Sequence, residues 1–181
     1  TAGPIARAEE LLIQLNDPRR LDFDRVFDGL AAFLLGYAMA SWAAPVFDEA
    51  LVAPTFNAVG ELNAFSHWLG AVGFALQVFA DFAGYSLIAI GISRLFGIEL
   101  PQNFDAPFIS RSVPEFWRRW HITLNRWLFD YIFTPMTTSR GFFRGKISLA
   151  LLITFLASGL WHGAAWTFLL WGLIHAVAMI V

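Results

Sequence analysis

The chain has 181 residues, of which 57% are hydrophobic and 14% charged, and its mean hydropathy is +0.59. A soluble domain carries about 25% charged residues, and one soluble core of this size cannot bury so much apolar surface, so the composition points to a membrane protein. A net charge of −2 gives no reason to expect nucleic acid, and the absence of Cys excludes disulfides, Cys-ligated zinc and a thiol nucleophile.

Ile5 to Leu15 mixes apolar residues with Arg7, Glu9 and Glu10, which predicts a short amphipathic helix in a segment 1–25, closed by a turn at Asn16-Asp17-Pro18. A membrane span takes about 20 mostly apolar residues. The first candidate is 26–47, with Asp28 and Asp48 near its ends, and the second is 65–98. As one helix the second would reach ~50 Å, so it either tilts and protrudes or breaks near Gly84. Residues 48–66 hold no Lys or Arg and read as a loop. Arg7, Arg19, Arg20 and Arg25 precede the first span, and seven basic residues lie in 99–146. The positive-inside rule puts those two segments in the cytoplasm and the 48–66 loop outside.

Pro101, Pro107 and Pro114 punctuate the start of 99–146, and a helix is expected from Ser112 or Val113 with Pro114 in its first turn. Trp117, Trp120, Leu124, Trp127 and Tyr131 recur at helical spacing and form one stripe, suited to a helix that lies in the interface or re-enters the membrane. Arg118, Arg119 and Arg126 fall off this stripe. His121 sits at its edge, one turn from Trp117 and one from Asn125, in a partly wet setting. Residues 147–181 contain no charged side chain. As one helix they too would reach ~50 Å, against a hydrocarbon core of ~30 Å. A break is therefore required, and Gly159 and Gly163 flank the expected place. The chain starts without Met and stops inside an apolar segment, which reads as a fragment of a longer protein. The expected class is all-α: one polytopic membrane domain over 1–181 with transmembrane, broken or re-entrant, and interfacial amphipathic helices.

Ionisable groups at membrane depth are costly and commonly functional. His162 reads either as a packing residue bonded to a backbone carbonyl or as a site. The neighbouring glycines permit close approach by another backbone or a substrate, and broken membrane helices line cavities. Burial would keep its imidazole neutral and able to accept a proton from a hydroxyl. His121 reads either as an interfacial ring among tryptophans or as part of an anion-binding group. Asp81 needs a partner, a proton or a wet cavity; an ion pair with an arginine of the interfacial helix and the orienting of a catalytic His are both open. His67 and His175 read as packing residues. No phosphate loop, dinucleotide fingerprint or zinc helix is present, and no metal is expected.

The run Phe116-Trp-Arg-Arg-Trp-His-Ile-Thr-Leu-Asn-Arg-Trp127, followed by Gly159-Leu-Trp-His-Gly-Ala-Ala-Trp166, resembles the membrane-bound O-acyltransferase family, most nearly its bacterial alginate O-acetyltransferase branch. Phe79-Ala-Asp-Phe-Ala-Gly-Tyr-Ser86 and Leu100-Pro-Gln-Asn-Phe104 support it. The resemblance implies acyl transfer to a hydroxyl, with His162 at the central catalytic position and His121 at the second. Asp81, Asn125, Trp161, Arg118 and Arg119 are the expected substrate-binding residues. The implied co-substrate is an acyl thioester, linked to coenzyme A or phosphopantetheine, with no bound cofactor. The implied partners are membrane lipids, a polysaccharide acceptor and accessory envelope acetylation proteins, and the implied location is the bacterial inner membrane. The chain departs from the family pattern at Leu87, Phe129, Met136-Thr137-Thr138 and Gly36 to Ser41, positions where donor or partner contacts could lie. Transfer of D-alanyl or another acyl group to a different polymer is the near alternative. A transporter-like subunit is the distant one, although no internal repeat supports it.

Overall fold

The computed structural model describes residues 3–16, 22–58 and 63–181. Among them the chain is helical, with no strand, as the all-α expectation requires. It divides into two compact units, Thr1–Asn103 and Phe104–Val181.

In the first unit, α1 (Ala8–Asn16) is the expected short helix; the turn expected at Asn16-Asp17-Pro18 falls largely outside the described residues. Its Gln14 side chain donates to the Glu99 carbonyl at 3.1 Å and accepts from the Glu99 N–H at 2.7 Å. Two helices, α2 (Phe23–Asn57) and α3 (Ala64–Leu95), are long and apolar enough to cross a membrane. Asp22 caps α2 by accepting from the Asp24 N–H, and Asn63 caps α3 by accepting from the Ser66 N–H.

The loop expected over 48–66 is corrected here: α2 runs on to Asn57, and only 59–62 of that stretch lie outside the described residues. The helix passes through Pro45 and Pro54 because a wide, π-type turn precedes each, at Met39–Ala43 and Asp48–Val52. Proline lacks an N–H and crowds the carbonyl four residues back. A π-type turn shifts the bonding by one residue, so the Ala44 N–H donates to Met39 and the Ala53 N–H to Asp48.

α3 does not break at Gly84. That glycine is a contact point instead: a Cβ there would lie 2.7 Å from the Gly36 carbonyl oxygen and 2.8 Å from the Ala40 nitrogen. The two helices run antiparallel, with Gly29 beside Gly91, Gly36 beside Gly84, Leu51 beside Gly73 and Thr55 beside Gly70. Small residues let membrane helices approach backbone to backbone, where dispersion and not water expulsion holds them. The buried residues of α2 are Gly29, Gly36, Ala44, Val52 and Thr55.

The second unit begins with a 3₁₀ turn at Pro107–Ile109. Next comes α4 (Val113–Arg119), which starts at the second of the two expected positions and is capped by Ser112, which accepts from the Glu115 N–H at 3.2 Å. α5 (Ile122–Leu128) leads through another wide turn, Phe129–Phe133, into α6 (Thr134–Thr138), where Pro135 explains the widening as before. α7 (Ile147–His162) and α8 (Trp166–Ile180) form a hairpin. The required break therefore falls at Gly163–Ala165. At 1.5 Å per residue each arm is ~23 Å long, short of a ~30 Å hydrocarbon core. A Cβ on Gly159 would strike the Phe168 carbonyl, and one on Gly172 the Phe155 carbonyl, so the arms pack at backbone distance. The core of the unit is Trp117, Phe155 and Ala176, ringed by Val113, Phe116, Leu151 and Trp171.

Candidate active site

The single tryptophan helix expected over 112–131 is interrupted at Trp120 and His121, and the interruption builds the site. Trp120 leaves the helix at φ −98°, ψ 128°, and His121 takes the left-handed conformation at φ 43°, ψ 54°. That conformation costs a non-glycine residue about 1–2 kcal/mol, and residues held this way cluster at functional sites. In a continuous helix the Trp117 carbonyl would accept from the N–H four residues on. Here Asn125 Nδ2 donates to it at 2.6 Å, while the Asn125 N–H donates to the His121 carbonyl at 3.0 Å. Asn125 thus bridges α4 and α5 and fixes His121 between them.

His121 is 4% exposed, which corrects the partly wet position expected for it. Burial pushes its imidazole down to about 4, and the charge of nearby His162 acts in the same direction. The two histidines, forty-one residues apart in sequence, therefore lie in one electrostatic neighbourhood.

His162 is the last residue of α7. It is exposed in this chain, against the burial expected. Its ring stands edge-on to Trp171 at 5.1 Å and lies near-parallel to Phe168 at 6.1 Å. The close approach that Gly163 permits is made by Phe168, whose ring would lie 2.6 Å from a Cβ there. Trp161 is exposed, with its ring 6.0 Å from Trp127 of α5.

Thr154, Ser158 and His162 are spaced four apart and share one face of α7. Thr154 and Ser158 are buried and line a small cavity with Trp117, His121, Asn125 and Phe155, which has about 20 Å³ of water-accessible space. This polar face leads from the cavity beside His121 to His162. Thr154 and Ser158 were not among the expected site residues. The four-residue spacing of the two hydroxyls up to His162 was the available signal.

The remaining expected residues separate. Arg119 is engaged within its own unit: its guanidinium donates to the Asp105 carbonyl and carboxylate at 3.1 Å each and to Glu115 at 3.1 Å. The Arg111 N–H and then the Arg119 bond hold the Glu115 carboxyl below its ordinary range. Arg118 is exposed. Asp81 lies exposed on α3, in the first unit. His67 Nδ1 donates to the Asn63 carbonyl at 2.9 Å, and His175 packs edge-on against Trp171 at 4.5 Å and Trp117 at 5.0 Å. Among the described residues no group of three His, Asp or Glu side chains is placed to hold a metal.

The model of the MBOAT, membrane-bound O-acyltransferase family, matches residues 1–181. The chain belongs to this family. Relatives align with it over most of its length. The Azotobacter vinelandii protein named "Probable alginate O-acetylase AlgI" is 38% identical over 178 residues, covering 96% of this chain and 34% of the relative. The Helicobacter pylori peptidoglycan O-acetyltransferase is 34% identical over 190 residues, covering 99% and 34%. The Bacillus subtilis teichoic acid D-alanyltransferase is 34% identical over 162 residues, covering 86% and 39%. The chain spans about a third of the length of these MBOAT relatives. Its Trp-His-Gly and Trp-Arg-Arg-Trp-His segments both lie in the second unit.

Proposed function

We propose that the protein is a membrane-embedded O-acyltransferase that moves an acetyl group from a thioester donor to hydroxyls of a cell-envelope or extracellular polysaccharide. The family match over the whole chain carries the reading. The three relatives named above differ in polymer and acyl group, and each is named for acylating a polymer: an alginate O-acetylase, a peptidoglycan O-acetyltransferase and a teichoic acid D-alanyltransferase.

In this mechanism a ring nitrogen of His162 takes the proton from an acceptor hydroxyl. The oxygen attacks the thioester carbonyl carbon, the C–O bond forms as the C–S bond breaks, and the leaving thiolate recovers the proton. General-base assistance of this kind is worth about 10²–10⁴-fold. His121, kept neutral by burial, is the group that holds the carbonyl in place or stabilises the charge that develops on it. The exposed Arg118 and Arg126 suit an anionic coenzyme A or phosphopantetheine donor arriving from the cytoplasm, where the positive-inside rule puts 99–146. The setting is a multi-pass protein of the bacterial inner membrane, with the acceptor polymer and accessory acetylation proteins on the far side.

The test is mass spectrometry of envelope polysaccharides from cells carrying the full-length protein or its His162→Ala form, with membrane insertion checked for both. Loss of polymer acetyl groups in the variant is expected. A D-alanyl ester in place of acetyl would reassign the donor, and acylation that persists without His162 would refute its role as base.

A further inference from the structure

The turn that leads into the uncharged hairpin holds the last charged side chains of the sequence. Arg140, Arg144 and Lys146 stand close together there, and no Asp or Glu follows Asp130. All three basic residues are exposed, and so are Phe142 and Ile147 beside them. Among the described residues the ion pairs fall on other arginines, Arg25, Arg94 and Arg119.

The turn is ordered from within. The Arg144 N–H donates to the Gly141 carbonyl at 3.1 Å, and the Lys146 N–H to the Phe143 carbonyl at 2.9 Å. Gly145 takes the left-handed conformation between them at φ 75°, which glycine adopts at little cost. The Phe142 ring stands edge-on to Phe143 at 5.2 Å, and Lys146 Nζ lies 3.3 Å from the Phe142 centroid. A cation over a ring face keeps its charge while its stem covers apolar surface. Little of the chain packs around this turn. A Cβ on Gly145 would meet nothing within 4 Å, and one on Gly141 only Ser139 Oγ at 3.7 Å.

We propose that this turn is a docking surface for anionic phospholipid headgroups. α7 begins at Ile147, and no charged side chain follows, so the turn sits where an apolar helix meets water. Basic residues set beside exposed apolar ones at that level are drawn to an acidic membrane surface. The counter-charge is absent from 131–181 and is supplied by lipid phosphates. A soluble phosphate would answer the cations and leave Phe142 and Ile147 in water, whereas a lipid surface answers both. The proposal rests on membrane placement alone and stands whatever group the protein transfers. An anchored turn also fixes the level at which α7 enters the bilayer, and with it the depth of His162 at the far end of that helix.

The test is hydrogen exchange on the full-length protein in nanodiscs of phosphatidylcholine alone, or of phosphatidylcholine mixed with phosphatidylglycerol. The Arg144 and Lys146 amides, bonded inside the turn, are the reporters. Attraction to an anionic surface is worth about fivefold per basic residue, so roughly 100-fold for three. Slowing of up to that factor in the mixed discs is expected, with α7 peptides unchanged. The triple variant Arg140→Gln, Arg144→Gln, Lys146→Gln should abolish it while α7 peptides keep their protection. Equal exchange in the two discs overturns the proposal, either because the turn stays bare or because another part of the protein or a second copy covers it. Equal slowing by inorganic phosphate in phosphatidylcholine discs assigns the surface to a soluble anion and overturns it too. Slowing by phosphatidylglycerol that survives in the triple variant places the headgroup elsewhere, with the same result. None of these readouts requires turnover, so this test and the His162→Ala test fail independently.

Discussion

Replacing Asn125 by Leu removes one hydrogen bond and keeps the side-chain volume close to constant. The bond is the 2.6 Å contact from Asn125 Nδ2 to the Trp117 carbonyl, which bridges the break between α4 and α5. Trp117 is buried, so its carbonyl is left without that donor in a poorly hydrated place. An unsatisfied buried acceptor costs about 1–3 kcal/mol, which is a factor of roughly 5 to 150 in the local opening equilibrium. Hydrogen exchange on the full-length protein reads this directly. Peptides covering 113–128 are expected to lose protection by that factor, while peptides from α2 and α3 stay as they were. Asn125→Asp should cost at least as much, since a carboxylate can only accept and faces another acceptor. If 113–128 exchanges in Asn125→Leu as in the wild type, Asn125 does not hold the break, and its role lies with substrate as first expected.

His121 makes stability depend on pH. Its folded-state pKa is lowered from 6.5 to about 4, so below pH 6.5 the unfolded chain takes up a proton that the folded chain refuses. The stabilisation is complete above pH 6.5 and is lost as pH falls toward 4, an effect on the order of 3 kcal/mol. Thermal denaturation of the detergent-solubilised protein between pH 7 and 4 should show a slope that His121→Gln flattens; equal slopes would rule the assignment out. Gly36→Val places side-chain atoms against the Gly84 carbonyl and the Ile88 nitrogen, and overpacking of this kind costs about 1–3 kcal/mol or more. Gly141→Ala is the matched control, with its nearest neighbour, Ser139 Oγ, at 3.7 Å. The denaturation midpoint should fall for the first and hold for the second.

What was legible in the sequence was set by length and capping chemistry. An uncharged run of ~50 Å cannot stay straight in a ~30 Å core, and the chain breaks after His162 accordingly. Ser112 and Pro114 announced the start of α4. Two features escaped. The tryptophan spacing is helical on both sides of His121, so no periodicity marks a break that is held by one Asn125 side chain. The loop read over 48–66 from its lack of Lys and Arg is helical to Asn57, because the helix absorbs Pro54 through a local change of bonding pattern. The burial of His121 and the exposure of His162 depend on which residues fold against them, and spacing alone carries no information on that.

The wide turns of α2 have a consequence for how its surface is counted. Its buried residues fall at Gly29, Gly36, Ala44 and Val52, at intervals of seven, eight and eight. The first interval is two plain helical turns, and each of the others contains one wide turn and one additional residue. A wide turn therefore acts as a one-residue insertion that is cancelled on the spot. The phase of the α3-facing seam is the same before and after each proline, and a heptad ruler laid on this sequence must skip a position at each of them.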